Sequence, residues 1–229
     1  MRHTILKIGY KISTSGIKPL KSLSIINDSL KYGDWINNHE FVKLESPRIN
    51  LYNYINENIL CDCPIDYLEF GVFKGESLNA WATINKNKSS RFYGFDWFYG
   101  LPEEWVTSFN DNTKKGTFST NGELPDIEDI RVKLVQGLFQ QSLPEFLKNF
   151  HPKNRLVIHL DADLYSSTLY VLTRINDLLS SNTILIFDEF ASIGHEFRAF
   201  MDYCSAYGRD YTPVAACLPY CTQMAILLK

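Results

Sequence analysis

From Pro47 onward the apolar positions fall into short runs of two kinds, and the two kinds alternate. Leu51, Tyr54, Ile55 and Ile59 recur at helical spacing, which predicts a helix from about Arg48 to Leu60. The mostly apolar run IDYLEF (65–70) predicts a strand, followed by a glycine-containing turn and a helix over about 76–86. RFYGFD (91–96), RVKLVQG (131–137), RLVIHLDAD (155–163) and TILIFDEF (183–190) predict four more strands. Between them the pattern predicts helices near 143–150, 166–179 and 195–207, the second with Leu169, Leu172, Ile175 and Leu179 on one face. Two closing strands are expected near 211–217 and 223–228. Apolar strands alternating with helices give an α/β, doubly wound, mainly parallel sheet covered on both faces.

Two stretches break the alternation. In the first forty residues short apolar patches around Ile5, Ile8, Leu23, Ile25 and Ile26 sustain no period, so this part reads as a weakly organised arm. The segment 97–130 is rich in Gly, Pro, Asn, Thr and Asp and reads as a long connection, with a short helix expected near 102–109. Connections of that length are often binding loops.

Composition narrows the class. A chain of 229 residues that is 45% hydrophobic and 14% aromatic has ample material for one large core, which argues against disorder. Lys plus Arg total 23 against 26 Asp plus Glu, and no basic tract is present, so nucleic acid is not an expected partner. No stretch approaches the length of a membrane span and the N-terminus lacks a signal-like apolar region, so the expected location is the cytoplasm. The five cysteines are an odd number, and the spacing of Cys61 and Cys63 with no second matching pair argues against a zinc knuckle; reduced thiols are expected.

In an open α/β sheet, ligands bind outside the carboxyl ends of the strands. Glu69, Asp96, Asp161, Asp188 and Glu189 fall at such ends. One acid there is easily a turn cap, but surface decoration has no reason to concentrate on one edge. Gly71 and Gly75 allow a tight turn that brings a ligand against the amides of the following helix. Phe73 stands where a dinucleotide fingerprint needs glycine, which argues against a nicotinamide cofactor. Glu69 suits an ammonium group better than a pyrophosphate, and Asp96 is placed to accept ribose hydroxyls. Asp161 and Asp188 end strands expected to be neighbours about 4.8 Å apart, a separation at which two carboxylates can share a hard cation.

The blocks YLEFGVFKGES, FYGFDWFYGLPEEW, VKLVQGLFQQSLPEFL, IHLDADLYSST and ILIFDEF, in that order, resemble the macrocin O-methyltransferase family of class I S-adenosylmethionine methyltransferases, over roughly Arg48 to the C-terminus. The resemblance implies a seven-stranded sheet of order 3-2-1-4-5-7-6 with the last strand antiparallel, a catalytic domain over 47–229, and an arm or cap over 1–46 that serves the substrate pocket or an oligomer contact. It implies S-adenosylmethionine over Glu69, Gly71, Phe73, Gly75 and Ser77, with ribose on Asp96, Trp97 nearby, adenine beside Gln136, Gly137 and Phe139, and Asp161 also at the cofactor. It further implies magnesium or another divalent cation on Asp161, Asp188 and Glu189, and Asp163 as the general base. Position 189 departs from the family, which commonly has Asp there; the extra methylene of Glu moves the carboxylate by about 1.5 Å. His195 is an alternative base, and His159 reads as a core histidine that holds an acid in place.

The expected function is metal-dependent O-methylation of a sugar or glycosylated small molecule, by a homo-oligomer. A non-sugar vicinal diol acceptor is one alternative, and a domain that binds S-adenosylmethionine or a glycan without turnover is another. A metal phosphohydrolase is disfavoured by the absence of a basic clamp.

Overall fold

The computed structural model describes residues 19–106 and 112–229. The main sheet has eight strands: β1 (Val42–Leu44), β2 (Ile65–Phe70), β3 (Arg91–Asp96), β6 (Val132–Gln136), β7 (Arg155–Leu160), β8 (Ile184–Phe187), β9 (Tyr211–Cys217) and β10 (Met224–Leu228). Their order is β1-β9-β10-β8-β7-β2-β3-β6. Only β10 among them runs antiparallel to its neighbours. The last seven strands of that order are the arrangement expected from the resemblance, and β1, unanticipated, adds an eighth parallel to β9.

The helices are α1 (Pro19–Asn37), α2 (Ile49–Ile55, continued by a π-helical turn Asn56–Leu60), α3 (Glu76–Ile84), α4 (Phe139–Leu147), α5 (Tyr165–Arg174) and α6 (Arg198–Tyr207, entered through a π-helical turn Ile193–Phe197). Three sequence expectations are corrected. Ile5 and Ile8 lie outside the described residues, but from Pro19 the supposed arm is a helix. Its aromatic end packs on the body: Trp35 meets Phe190 at 5.1 Å, Tyr32 meets Phe197 at 5.1 Å, and Trp35 Nε1 donates to the Tyr211 hydroxyl. Tyr32, Trp35 and Ile36 stand at helical spacing and face the body, but exposed Ile26 and Leu30 earlier in the helix blur the period. Second, no helix forms at 102–106; Trp105–Val106 (β4) pairs with Asn112–Thr113 (β5), and 107–111 lie outside the described residues. Third, α4 begins at Phe139, earlier than expected.

The alternation of side chains along each strand divides the interior into two cores. Leu68, Phe70, Ile158 and Leu160 face the core that α1, α5 and α6 help to build. Ile65, Tyr67, Val157, Ile184 and Ile186 face the other core, with Leu51 and Tyr52 of α2 and Trp81 of α3. Counting on by twos, Glu69, His159, Asp161 and Asp188 belong to this second face. The β2–β7–β8 register confirms it, pairing Glu69 with His159 and His159 with Ile186.

Candidate active site

Just past the strand ends the backbone ladder runs on: Gly71 donates to Phe95, Asp161 to Phe70, Asp188 to Leu160 and Gly137 to Asp96. The carboxyl edge is therefore a row in which Asp96, Gly71, Asp161 and Asp188 stand side by side. The chain leaves β2 toward β3 on one side and later returns to β7 on the other, so Gly71 and Asp161 flank the switch point where such sheets bind ligands. A Cβ at Gly71 would stand 1.7 Å from the Asp161 carbonyl oxygen, and the residue has φ +99. Only glycine permits this approach.

A cavity of ≈ 340 Å³ opens over the row. Of the residues expected at the cofactor, Gly71, Phe73, Ser77, Asp96, Trp97, Phe139 and Asp161 line it, as do Asp163, Asp188 and Glu189. Asp96 Oδ2 accepts the amides of Val72 and Phe73, both at 2.8 Å, and Oδ1 accepts that of Phe98. The carboxylate thus orders the turn as well as facing the cavity.

Other expected residues are placed differently. Glu69 does not reach the cavity: fully buried, it accepts Ser77 Oγ at 2.8 Å and the Tyr67 hydroxyl at 2.5 Å. With these two internal donors the carboxylate holds the turn between β2 and α3. Gly75 is the left-handed N-cap of α3, where an added Cβ would meet Ile127 and Pro125, between Lys74 and Glu76 of the cavity wall. Gln136 reaches the Gly122 carbonyl and Gly137 is a turn, and next to them the cavity is walled by Leu138, Phe139 and Gln140. His195 has both ring nitrogens engaged, Nδ1 by the Tyr165 amide at 3.1 Å and Nε2 by the Val106 carbonyl at 2.9 Å. It ties the β4–β5 hairpin to the start of α5.

The acid cluster is the chemical centre. His159, Asp161 and Asp188 each offer a ligand atom within 4.8 Å of the others; among the described residues this is the group able to hold a metal ion, and Glu189 is not part of it. His159 is oriented from behind, since its Nδ1 lies 2.6 Å from the Tyr67 hydroxyl and 3.4 Å from Glu69. Its Nε2 lies 3.8 Å from Asp188 Oδ1. Both of those atoms, and the nearby Tyr52 hydroxyl, are buried without a hydrogen-bond partner. Two carboxylates with an orphaned oxygen and an imidazole nitrogen fit a divalent cation.

Electrostatics separate the acids. Burial pushes Asp161 well above the carboxylate range, and the charge of Asp188 adds to it. Burial and then Glu189 raise Asp163 to about 7; burial and then Asp188 raise Glu189 to about 7. Asp188 goes the other way: burial opposes its charge, but the His159 contact and Arg48 outweigh that and lower it. The same contacts hold His159 at about 9 despite its burial. Asp163 also has φ 58, a left-handed conformation that Asp tolerates better than most residues.

Sequence reasoning missed Arg48, which lies among the acids, with Nη1 3.4 Å from Asp161 Oδ2 and 3.1 Å from Asp188 Oδ1. A signal existed: a cation at a helix N-terminus opposes the helix dipole and needs another partner. Buried Glu196, whose Oε2 accepts the Glu189 amide, was missed as well.

The sequence model of the Macrocin-O-methyltransferase (TylF) family matches residues 47–211. The chain is 30% identical over 188 residues to the 8-demethyl-8-(2,3-dimethoxy-alpha-L-rhamnosyl)-tetracenomycin-C 4'-O-methyltransferase of Streptomyces olivaceus, covering 74% of this chain and 69% of the relative. The solved calicheamicin methyltransferase CalS11 superposes with a TM-score of 0.62 at 21% identity, covering 78% of this chain and 77% of that one. The O-methyltransferase NovP gives 0.58 at 18%, covering 79% and 78%. Sequence match, sheet order and cavity placement agree: the chain belongs to the macrocin O-methyltransferase family and is a class I S-adenosylmethionine-dependent O-methyltransferase.

Proposed function

We propose that the protein methylates a hydroxyl of a sugar carried by a larger small molecule, with a divalent cation, normally magnesium, as helper. The observation that carries the reading is the acid row, in which Asp163 lies two residues beyond Asp161 on the wall of one cavity with Asp188. The relative from Streptomyces olivaceus, named for a rhamnosyl acceptor, supports the sugar. Room beyond the sugar comes from a second, more open cavity of ≈ 720 Å³ that shares Trp105 and Glu189 with the first and is walled by Tyr32, Ile36 and Tyr220.

In this reading Asp161 and Asp188 hold the cation, with His159 oriented behind them and Glu189 at the rim. A cation held there would lower the pKa of the acceptor hydroxyl, and S-adenosylmethionine would supply the methyl group. The new C–O bond would form at the hydroxyl oxygen as the C–S bond of the donor broke, and the sulfur would need no proton on leaving. The hydroxyl proton passes to Asp163, whose raised pKa makes it an effective acceptor near neutrality. The Val72 and Phe73 turn, fixed by Asp96, positions the donor, and placement does most of the remaining work. A homodimer or larger closed assembly belongs to the same reading, supported by exposed Ile26 and Leu30 on α1. Sedimentation giving a monomer at tens of micromolar would reject that part.

Mass spectrometry of glycosylated and free-diol acceptors incubated with S-adenosylmethionine, with and without magnesium, tests the function. Methylated glycosides that require magnesium are expected. Turnover of non-sugar diols alone would move the acceptor class, and no turnover of either class would reject the reading.

A further inference from the structure

We propose that Arg48 is a tethered counter-cation that closes the divalent-ion site, so that guanidinium and metal exclude one another between Asp161 and Asp188. The proposal rests on reading the acid cluster as a cation site. Arg48 Nη1 contacts one oxygen from each of the two acids expected to share the ion. A divalent ion bridging the same oxygens would fall within ion-pair range of the guanidinium. Like charges at that range repel strongly in a partly desolvated site.

Arg48 neutralises the acids without completing their bonding. Asp188 Oδ1 is ion-paired at 3.1 Å yet has no hydrogen bond of good geometry, and His159 Nε2 and the Tyr52 hydroxyl beside it are also unpartnered. That is the behaviour of a placeholder, whereas a small ion would take Asp188 Oδ1 as a ligand. The residue is also built to move at one end only. Its carbonyl accepts the amides of Leu51 and Tyr52 and so starts α2, which fixes the backbone. Its side chain is 32% exposed and lines the open cavity, which leaves it a way out. The helix dipole does not hold a cation at this end of α2, so the acids alone keep it there.

The metal-free protein thereby keeps its acids compensated, and loading the site turns a positive side chain into the cavity. The cost is apparent metal affinity, which falls by the fraction of time the site stands open: occupancy by Arg48 nine-tenths of the time weakens binding about tenfold.

Manganese binding by calorimetry, on wild type, Arg48→Met, Arg48→Lys and Asp161→Asn, tests this without activity as the readout. Arg48→Met should bind manganese about tenfold more tightly or better, and should melt at a lower temperature than wild type until manganese is added. Arg48→Lys should bind like wild type, and Asp161→Asn should lose binding. Unchanged or weaker binding by Arg48→Met, or equal tightening by Arg48→Lys, would overturn the proposal while leaving the metal reading intact. No manganese bound by wild type or Arg48→Met would overturn both. Should Arg48→Met not fold, the Nε–H resonance of Arg48 in labelled wild type gives the answer: it should shift with magnesium along the binding curve, and a resonance indifferent to saturating magnesium would refute the exchange.

Discussion

Both ends of the parallel sheet bury acids, and they treat them in opposite ways. At the amino-terminal end Asp66 receives Arg91 Nε at 2.8 Å and Nη2 at 2.5 Å, the amides of Lys153 and Asn154, and the Asn154 side chain. Burial would raise its pKa, but Arg91 and the two amides more than offset that and hold it below the usual range. Arg131 and Arg155 work at the same end, donating to carbonyls at the close of α3 and α2. At the carboxyl-terminal end Asp161, Asp163, Glu189 and Glu196 are all raised, by burial first. Glu196 Oε1, Asp188 Oδ1 and His159 Nε2 remain unpartnered. At the amino-terminal end the buried acid is fully satisfied by the fold. At the carboxyl-terminal end Glu69 and Asp96 are satisfied too, but the cluster over β7 and β8 carries the penalty of unsatisfied burial.

The sharpest way to break that contrast is at Asp163. Asp163→Asn should cut turnover by roughly 10² to 10⁴ while leaving calorimetric binding of the demethylated cofactor and the metal requirement nearly unchanged. A change only in metal requirement would make Asp163 a ligand instead.

At the opposite end, Asp66→Asn should cost about 2–3 kcal/mol, because Arg91 and two amides lose their charged acceptor. That corresponds to roughly 5–10 °C of melting temperature. Asp161→Asn, measured without metal, should show no such loss, since it removes an acid whose charge burial disfavours. Equal destabilisation by the two variants would erase the distinction between the ends.

Titration should separate them further. The Asp66 pKa is depressed in the folded state, so its contribution is present above the unfolded value of about 3.9 and is lost as pH falls through the lower folded value. Acid melting should steepen below about pH 4 in wild type and less in Asp66→Asn. Asp163 acts when deprotonated, so methyl transfer at fixed metal should rise with pH through about 7 and then level. Asp163→Asn should abolish that limb. The smallest effect is expected from Glu189→Asp, about threefold or less in metal affinity, since Glu189 stands outside the ion-holding group.

Much of this was legible in the sequence because two periodicities carry it. The strands at 65–70 and 91–96 were read residue for residue, and the acids fell at strand ends as the fold class requires. What escaped depends on partners distant in the chain. Trp35 and Tyr32 make α1 pack, yet their partners Phe190, Phe197 and Tyr211 lie more than 150 residues on. Arg48 looked like an ordinary helix start until β7 and β8 placed two carboxylates over it. Glu69 was legible as a strand-end acid, but its commitment to Tyr67 and Ser77 follows from which face of β2 it occupies. The π-helical turns and the β4–β5 hairpin carry no period strong enough to announce them.

The contact between Gly71 and the Asp161 carbonyl has a consequence for substitution. A saturation scan of the turn should permit no exchange at position 71, whereas Lys74, on the cavity wall with its Nζ over the Phe73 ring, should be replaceable without loss of the fold. Any carbon added at Gly71 pushes on the backbone of Asp161, so a substitution in the turn would displace an acid of the neighbouring strand. The crossing of these two strands therefore has room for backbone alone.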